Sequence, residues 1–295
     1  MDKNKISFIT GIQKISLGRI ILDKEYSKNF KLLDGSEISL SSTIGLDREY
    51  QQDSIAVALN DNYKMMLVAD GMGGMYNGEE ASYYTAQAIK KFFLNEEKKY
   101  LRILDSVLLE EVIYLLIDEI TRRINSESGT TLSLAIVIDD RTYIVNIGDS
   151  RIYSIKNGIL KLETFDDSEG FFRYKPKNSY DRDKLRFYRY NNIVTNSIIR
   201  DAPINLKIME IENNSYDSLC LMTDGVSDIL REEEIRNLLL TDDPAYKMTE
   251  LSKYHEVDMV KVSDADMYKN FDFLSRIRPG KDNASVVVYK KKLVR

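Results

Sequence analysis

Cysteine and histidine are almost absent from this chain of 295 residues. Its one cysteine, Cys220, excludes a disulfide within the chain and lies in an apolar run, where we expect a small buried side chain rather than a nucleophile. Its one histidine, His255, excludes zinc sites built from several histidines and weakens any Ser-His-Asp interpretation. Chemistry in this chain therefore has to rest on other residues.

Long hydrophobic runs and domain linkers are also missing. No apolar segment approaches the ~20 residues of a membrane-spanning helix, and none of signal-peptide length follows the N-terminus. Only four prolines occur, and the net charge is −5, which makes no case for nucleic acid or an anionic membrane surface. We expect one large domain, monomeric and cytoplasmic, with no membrane span and no nucleic-acid partner.

Aspartates are placed regularly at the ends of apolar runs. Four such runs begin or end beside Asp70, Asp149, Asp224 and Asp282, each next to glycine or asparagine. Taken singly, each pair is more often a turn than a ligand. Four buried strands that each deliver a carboxylate to one tip predict a cluster, which repels itself unless cations lie in it. Carboxylate oxygens select hard cations such as Mg²⁺ or Mn²⁺, so the pattern favours a metal-dependent enzyme.

Apolar runs separated by turn residues predict antiparallel hairpins. Such turns occur at residues 60–62, at Asp139-Asp140 and at Lys156-Asn157-Gly158. Two helical segments, residues 78–95 and 101–125, lie between hairpins, and the second has an apolar stripe that we expect to include Val107 and Leu115. Strands and helices in separate blocks predict the α+β class, with two sheets packed face to face and helices outside.

The later chain gives weaker signals. Residues 166–192 are interpreted as a loop, residues 232–240 as a short helix, and residues 284–289 as a last strand. Residues 241–281 carry only a weak helical pattern over 259–277.

Six short motifs follow one another along the chain: Gly45-Leu46-Asp47-Arg48 with Asp53-Ser54, Asp70-Gly71-Met72-Gly73-Gly74 with Gly78-Glu79, Gly129-Thr130-Thr131, Gly148-Asp149-Ser150-Arg151, Thr223-Asp224-Gly225 and Asp282-Asn283. In this order they resemble the motifs of the bacterial type 2C metal-dependent Ser/Thr protein phosphatases (the PPM family). The resemblance implies a four-layer αββα sandwich, with residues 41–295 as the phosphatase domain. Residues 1–40 would be an N-terminal extension packed on or preceding the core.

The resemblance implies metal-dependent hydrolysis of phosphoserine and phosphothreonine in proteins, by water that two Mg²⁺ or Mn²⁺ ions activate. Asp70 would bridge the two metals, with the Gly71 carbonyl on one of them. Arg48 would bind the substrate phosphate. The other implied metal ligands are Asp224, Asp282 and Asp53, with Asp149 helping to hold a third ion. The implied partners are a phosphorylated protein and an opposing Ser/Thr kinase in a signalling pathway.

Two positions depart from the family pattern. The family's Asn-Glu-Asp is Gln51-Gln52-Asp53 here, and Asn196 stands where many members have arginine. The neutral Gln52 favours an alternative function, a pseudophosphatase that binds a phosphoprotein with little or no turnover. A two-metal phosphodiesterase or nuclease is a further alternative, which the ordered motifs disfavour.

The segment from Phe171 to Tyr190 holds seven Lys or Arg against two Asp, interleaved with aromatic residues. It is either a solvated surface loop or a platform for an acidic phosphorylated polypeptide, with Arg182, Arg186 and Arg189 as the contact residues.

Overall fold

A computed structural model describes residues 16–17, 25–59, 63–72, 77–94, 105–188, 190–254 and 279–292. The described strands are β1 (Ser16–Leu17), β2 (Glu25–Lys31), β3 (Glu37–Thr43), β4 (Asp53–Leu59), β5 (Tyr63–Met72), β6 (Gly129–Thr130), β7 (Leu132–Ile138), β8 (Arg141–Ile147), β9 (Arg151–Lys156), β10 (Ile159–Leu162), β11 (Ile198–Ile199), β12 (Lys207–Glu212), β13 (Ser218–Met222) and β14 (Ala284–Lys290). The described helices are α1 (Gly78–Leu94), α2 (Ser106–Thr121), α3 (Glu169–Tyr174), α4 (Ser179–Leu185), α5 (Asp224–Ser227), α6 (Glu232–Leu239) and α7 (Pro244–Tyr254).

The strands form two sheets, antiparallel throughout the described residues. The first has the order β1-β4-β5-β7-β8-β12, with β6 beside β5 and β11 beside β6, and the second has the order β10-β9-β13-β14-β3-β2. Helix α1 packs on β4 and β5 of the first sheet, whereas α7 packs on β3 and β14 of the second. The arrangement is the αββα sandwich of the α+β class, so that prediction is confirmed.

Alternation along strand β5 shows how one strand serves two cores. Met65 and Leu67 point into the core between the first sheet and helices α1 and α2, and Met66 and Val68 point into the core between the two sheets. The sequence of a strand with both faces covered is a continuous apolar run, because its side chains alternate between two buried layers. A third core lies between the second sheet and its helices and contains Cys220, which is fully buried as expected.

Helix α2 confirms the second predicted helix but corrects its apolar stripe. The helix starts after Asp105, whose side chain accepts a hydrogen bond from the Leu108 N–H at 2.8 Å. Its buried face consists of Leu109, Val112, Ile113, Leu116, Ile117 and Ile120. Val107 and Leu115 were predicted to widen this face, and that was wrong: both are exposed, because a turn of 3.6 residues places them away from the sheet.

The predicted hairpins at residues 139–140 and 157–158 are present, and Asn157 and Gly158 both have positive φ, as a tight two-residue turn requires. Two sequence interpretations need correction. Residues 166–192 were interpreted as a loop but contain helices α3 and α4, and α7 was not predicted. His255 and residues 259–277 lie outside the described residues.

Strands β2 and β3 form one edge of the second sheet and are paired along their whole lengths. The assignment of residues 1–40 to a separate extension stays a prediction. Across the described ranges, the helices are too short or too polar to span a bilayer.

Two adjacent leucines of α2 test this packing. Leu116→Ala removes a side chain that is 9% exposed, and we expect the free energy of unfolding to fall by about 2–5 kcal/mol, because a cavity is left against the sheet. Leu115→Ala, at a side chain 71% exposed, should change it by less than about 0.5 kcal/mol. Urea unfolding followed by circular dichroism measures both values, and equal losses would contradict the assigned helix face.

Candidate active site

The acidic side chains come together because several strands end at the same edge of the sandwich. Asp53 begins β4 and faces Asp70 near the end of β5 across an antiparallel ladder. In the second sheet, Asp224 follows β13, and Asp282 precedes β14, the strand that pairs with β13. Asp149 lies in the connection from β8 to β9, where the chain passes between sheets. Five carboxylates from both sheets therefore meet at one edge.

The backbone of Asp70 is held by two threonines of the Gly-Thr-Thr motif. Its N–H donates to the Thr131 hydroxyl at 3.0 Å, and its carbonyl accepts from the Thr130 hydroxyl and the Thr131 N–H, both at 2.9 Å. Thr131 in turn bonds to the Ser150 hydroxyl at 2.8 Å. These bonds fix the peptide from which the Asp70 carboxylate projects.

Gly71 lies where no larger residue fits. A Cβ at this position would overlap the carbonyl oxygens of Gly78 and Gln52. The Gly71 N–H donates to the Gln52 carbonyl at 3.1 Å, and the Gln52 N–H donates to the Asn283 side chain at 2.9 Å. Asn283 also donates to the Ile44 and Tyr50 carbonyls. This set of bonds ties the motif around Asp70 to the motif around Asp282.

Asp53 is buried at 1% exposure, and its carboxylate accepts a hydrogen bond from the Thr223 hydroxyl at 2.8 Å. The same hydroxyl accepts from the Ser285 N–H at 3.0 Å. Burial raises the pKa of Asp53 from 3.8 to about 8, and the charges of Asp282 and Asp224 add to the rise. Thr223 and Ser285 thus link the Asp53 carboxyl to the strands that bear Asp224 and Asp282.

The pKa values of Asp70 and Asp224 are raised as well. Burial raises the pKa of Asp70 well above its ordinary value, with the neighbouring Asp224 and Asp53 as the next causes. Burial also raises the pKa of Asp224 to about 6, although a hydrogen bond with Asp70 counteracts part of the rise. A pKa raised by neighbouring carboxylates is typical of a functional site.

Asp228 belongs to this site although its sequence position gave no motif signal. Burial first, and then the charge of Asp224, raise the pKa of Asp228 to about 7. Burial and the charges of Asp224, Asp166 and Asp228 raise the pKa of Asp149 well above its ordinary value. Asp228 lies one helical turn after Asp224 in α5 and its C-cap, a spacing that could have revealed it.

Arg151, the last residue of the Gly-Asp-Ser-Arg motif, has a structural role. Its guanidinium pairs with Asp166 at 2.6 Å, and both side chains are almost fully buried. Arg48, by contrast, is half-exposed at the rim and donates to Asp282 at 2.7 Å. Asn196, in the position where arginine was expected, donates to Asp167 at 2.7 Å and to the Asn205 carbonyl at 2.8 Å.

Within the described ranges, no three acidic, His or Cys side chains stand in a geometry that already encloses a metal ion. Asp70 and Asp224 instead bond to each other, and Arg48 holds Asp282. Oδ1 of Asp224 is buried without a hydrogen-bond partner, and such an atom requires a donor or a cation. A cluster of carboxylate oxygens with one oxygen unsatisfied fits a hard divalent cation, so the donor set suits Mg²⁺ or Mn²⁺.

The flap, defined here as residues 166–192, does not form the basic platform that was one of the two interpretations of its residues 171–190. Arg182 pairs with Glu232 of α6, and Arg186 is buried, with Nη1 donating to the Ile229 carbonyl at 2.5 Å. Arg189 lies outside the described residues. The interpretation of Arg182 and Arg186 as exposed peptide contacts is therefore wrong, because both guanidinium groups bond to the body of the protein.

Comparisons with known proteins agree with this architecture. The family model described as Protein phosphatase 2C matches residues 47–255. The serine/threonine phosphatase stp of Listeria monocytogenes serotype 4b is 27% identical over 205 residues, which cover 66% of this chain and 79% of that protein. The protein phosphatase PhpP of Streptococcus pneumoniae serotype 2 is 28% identical over 222 residues, which cover 72% and 88%.

A solved structure shares the fold. It is the catalytic domain of the serine threonine protein phosphatase PstP in complex with 2 manganese ions, and it superposes with a TM-score of 0.60 at 22% identity. The superposition covers 86% of this chain and 97% of that one.

The raised pKa values predict how stability depends on pH. The folded protein holds protons on Asp224 and Asp53 more tightly than the unfolded chain does, so this stabilisation is complete below about pH 4 and is lost as the pH rises through about 6 and about 8. In EDTA, we expect the free energy of unfolding to fall between about pH 5 and pH 8 by more than about 1.4 kcal/mol, the equivalent of one pKa unit. Urea titrations at several pH values measure it.

Two variants sharpen this measurement. Asp53→Asn should flatten the decline, since it removes a carboxyl that titrates in this range. Asp217→Asn should leave the decline unchanged, because hydrogen bonds from Asn157 and Lys156 outweigh burial and lower the pKa of Asp217. A decline that is the same in Asp53→Asn as in the parent protein would contradict the assignment.

Proposed function

Because this chain belongs to the protein phosphatase 2C family, we propose that it is a metal-dependent phosphatase of phosphoserine and phosphothreonine in proteins. The observation that carries the proposal is the convergence of Asp53, Asp70, Asp224 and Asp282 from both sheets, where burial and the charges of neighbouring aspartates raise the pKa of the first three. Keeping these four carboxyls together, with Asp53 buried and the other three partly buried, costs free energy unless the site binds cations.

The proposed cofactors are two Mg²⁺ or Mn²⁺ ions. Asp70 would hold both ions, with the Gly71 carbonyl on one of them, Asp224 and Asp282 would complete the other site, and Asp53 would be a further ligand. Asp149 and Asp228 would hold a third ion, together with Asp224. Bound divalent cations supply positive charge that increases the acidity of water and offsets charge on a phosphoryl group. The likeness to a structure with 2 manganese ions supports this choice of metals.

Arg48 is the proposed phosphate-binding residue. It lies at the exposed rim, and its present partner is a single carboxylate oxygen of Asp282. A guanidinium can hold two phosphoryl oxygens with parallel hydrogen bonds, a geometry that lysine cannot provide. Exchange of Asp282 for substrate phosphate would free that carboxylate and orient the phosphoryl group at the same time.

The proposed function includes a substrate class, a compartment and a domain division. The substrates would be phosphorylated proteins that an opposing Ser/Thr kinase supplies, and the protein would act in the cytoplasm as a monomer. The chain would divide into an extension over residues 1–40 and the phosphatase domain over residues 41–295. The relatives named as protein phosphatases support the substrate class.

The second candidate function is a pseudophosphatase, which one observation favours. Gln52 is neutral, and its amide Nε2 lies 3.4 Å from Glu79 Oε2, so the side chain serves as a hydrogen-bond donor to another acidic residue. Gln52 therefore supplies no negative charge to the site, where a glutamate would supply one.

One assay separates the two functions. Hydrolysis of p-nitrophenyl phosphate and of a phosphothreonine peptide is measured with Mn²⁺, with EDTA, and for Asp70→Asn. We expect Mn²⁺-dependent turnover that falls at least about 100-fold in EDTA or in the variant, because the cations are lost or misplaced. A folded protein with no turnover at high Mn²⁺ would instead support the pseudophosphatase.

A substitution at position 52 tests the departure from the family pattern. We expect Gln52→Glu to lower the Mn²⁺ concentration for half-maximal activity about 10- to 100-fold, because groups around the ligands tune metal affinity by such factors. Glu79→Gln is the matched control, since it alters the same hydrogen bond without adding charge to the site. Equal Mn²⁺ requirements in the parent and in Gln52→Glu would show that the neutral residue is no handicap.

A further inference from the structure

Arg186 is an almost fully buried arginine of the flap. It follows α4 as the C-cap residue, its exposure is 5%, and its Nη1 donates to the Ile229 carbonyl at 2.5 Å. Its Nε is buried without a hydrogen-bond partner. The neighbouring arginines differ, since Arg151 pairs with Asp166 and Arg182 pairs with Glu232. In the part of the chain that the structure describes, Arg186 forms no such ion pair.

A buried guanidinium without a close ion pair costs free energy, of which the charges of Asp183, Glu234 and Asp228 offset a part for Arg186. Breaking or omitting one member of a buried ion pair typically destabilises a protein by several kcal/mol. The same burial lowers the pKa of Arg186. A buried guanidinium therefore needs either charges and hydrogen bonds from the rest of the protein or a ligand that binds beside it.

Arg186 borders a cavity at the edge of the carboxylate cluster. The cavity has a volume of about 90 Å³, which is room for several water-sized groups. Its lining includes the acidic residues Asp224, Asp228 and Asp282, the basic residues Arg186 and Lys281, and Asn191, whose side chain donates to Asp228 at 3.1 Å. Oδ1 of Asn191 and Oδ1 of Asp224 are also buried without partners. Three unsatisfied polar atoms therefore belong to residues that line one small cavity.

The cavity lining carries groups of both charges, and this limits the ligands that suit it. An anion is repelled by Asp224, Asp228 and Asp282 until cations neutralise them, and the cations and Arg186 then attract it. A cation alone would suit the carboxylates but not Arg186, whose guanidinium can only donate. A phosphate oxyanion bound together with cations suits both kinds of group.

We propose that Arg186 is a second phosphate-binding arginine, which contacts the phosphoryl group of the substrate, or the phosphate product, from the flap side of the cavity. The inference rests on the proposed function for the identity of the substrate. Arg48 would hold the phosphate from the exposed rim and Arg186 from the buried wall. The flap would thus take part in recognition through one internal guanidinium rather than through an exposed basic surface.

The test measures phosphate binding in the full chain loaded with Mn²⁺. Inorganic phosphate is titrated as a competitive inhibitor and, separately, as a ligand that raises the melting temperature, a readout that needs no turnover. We expect Arg186→Met to weaken both effects and to raise KM for a phosphothreonine peptide about 10- to 100-fold, the factor of one charge-assisted hydrogen bond. Without Mn²⁺, neither protein should respond to phosphate.

Two further variants control for charge and folding. Arg173→Met removes an equally charged flap residue that is exposed and paired with Glu169, and should change phosphate binding by less than about twofold. Arg186→Lys keeps the charge without the Nε–H and the planar fork, and should fall between the parent and Arg186→Met. It also serves as the test if Arg186→Met does not fold.

The outcomes are distinguishable. Unchanged phosphate inhibition and an unchanged melting shift in a folded Arg186 variant would overturn the inference and leave the proposed function intact, provided that the parent turns over. No turnover in the parent would refute the proposed function, while a phosphate-dependent melting shift that requires Arg186 would still support the phosphate site.

Discussion

Repulsion among buried carboxylates is the constraint that shapes this protein. Asp53, Asp70 and Asp224 lie at one edge of the sandwich, and burial together with the charges of neighbouring aspartates, Asp282 among them, raises the pKa of each. Such an arrangement survives only if the surrounding structure holds it and if protons, arginines or cations offset the charge. In this structure the Asp70–Asp224 hydrogen bond and the Arg48–Asp282 ion pair do so.

The frame that resists this repulsion consists of backbone and hydroxyl hydrogen bonds. Thr130 and Thr131 hold the Asp70 peptide, and Asn283 joins Gln52 to the loop before β14. Gly71 and Gly78 allow these segments to approach more closely than any side chain would permit. The motifs around the acidic residues are therefore as necessary to the site as the carboxylates, because they position charges that would otherwise move apart.

The flap shows how the same residue types serve different purposes at different depths. Arg151 and Arg182 neutralise buried acids, which makes them part of the fold. Arg186 is also buried, but it forms no ion pair of this kind within the described residues. It borders the cavity beside Asp224. Arginines that look alike in the sequence therefore have different roles, which depend on the groups that each guanidinium contacts in the folded protein.

The sequence by itself determined the hairpins, the α+β class and the four strand-end aspartates, because these depend on local turn residues and on the alternation of apolar side chains. Only the tertiary structure decided which face of α2 is buried, that residues 166–192 form two helices, and that Asp228 joins the acidic cluster. These features depend on contacts between residues far apart in the chain. The ion-pair partner of an arginine and the pKa of a carboxyl also depend on the tertiary structure. Both are set by the charged groups that distant segments place within a few ångströms.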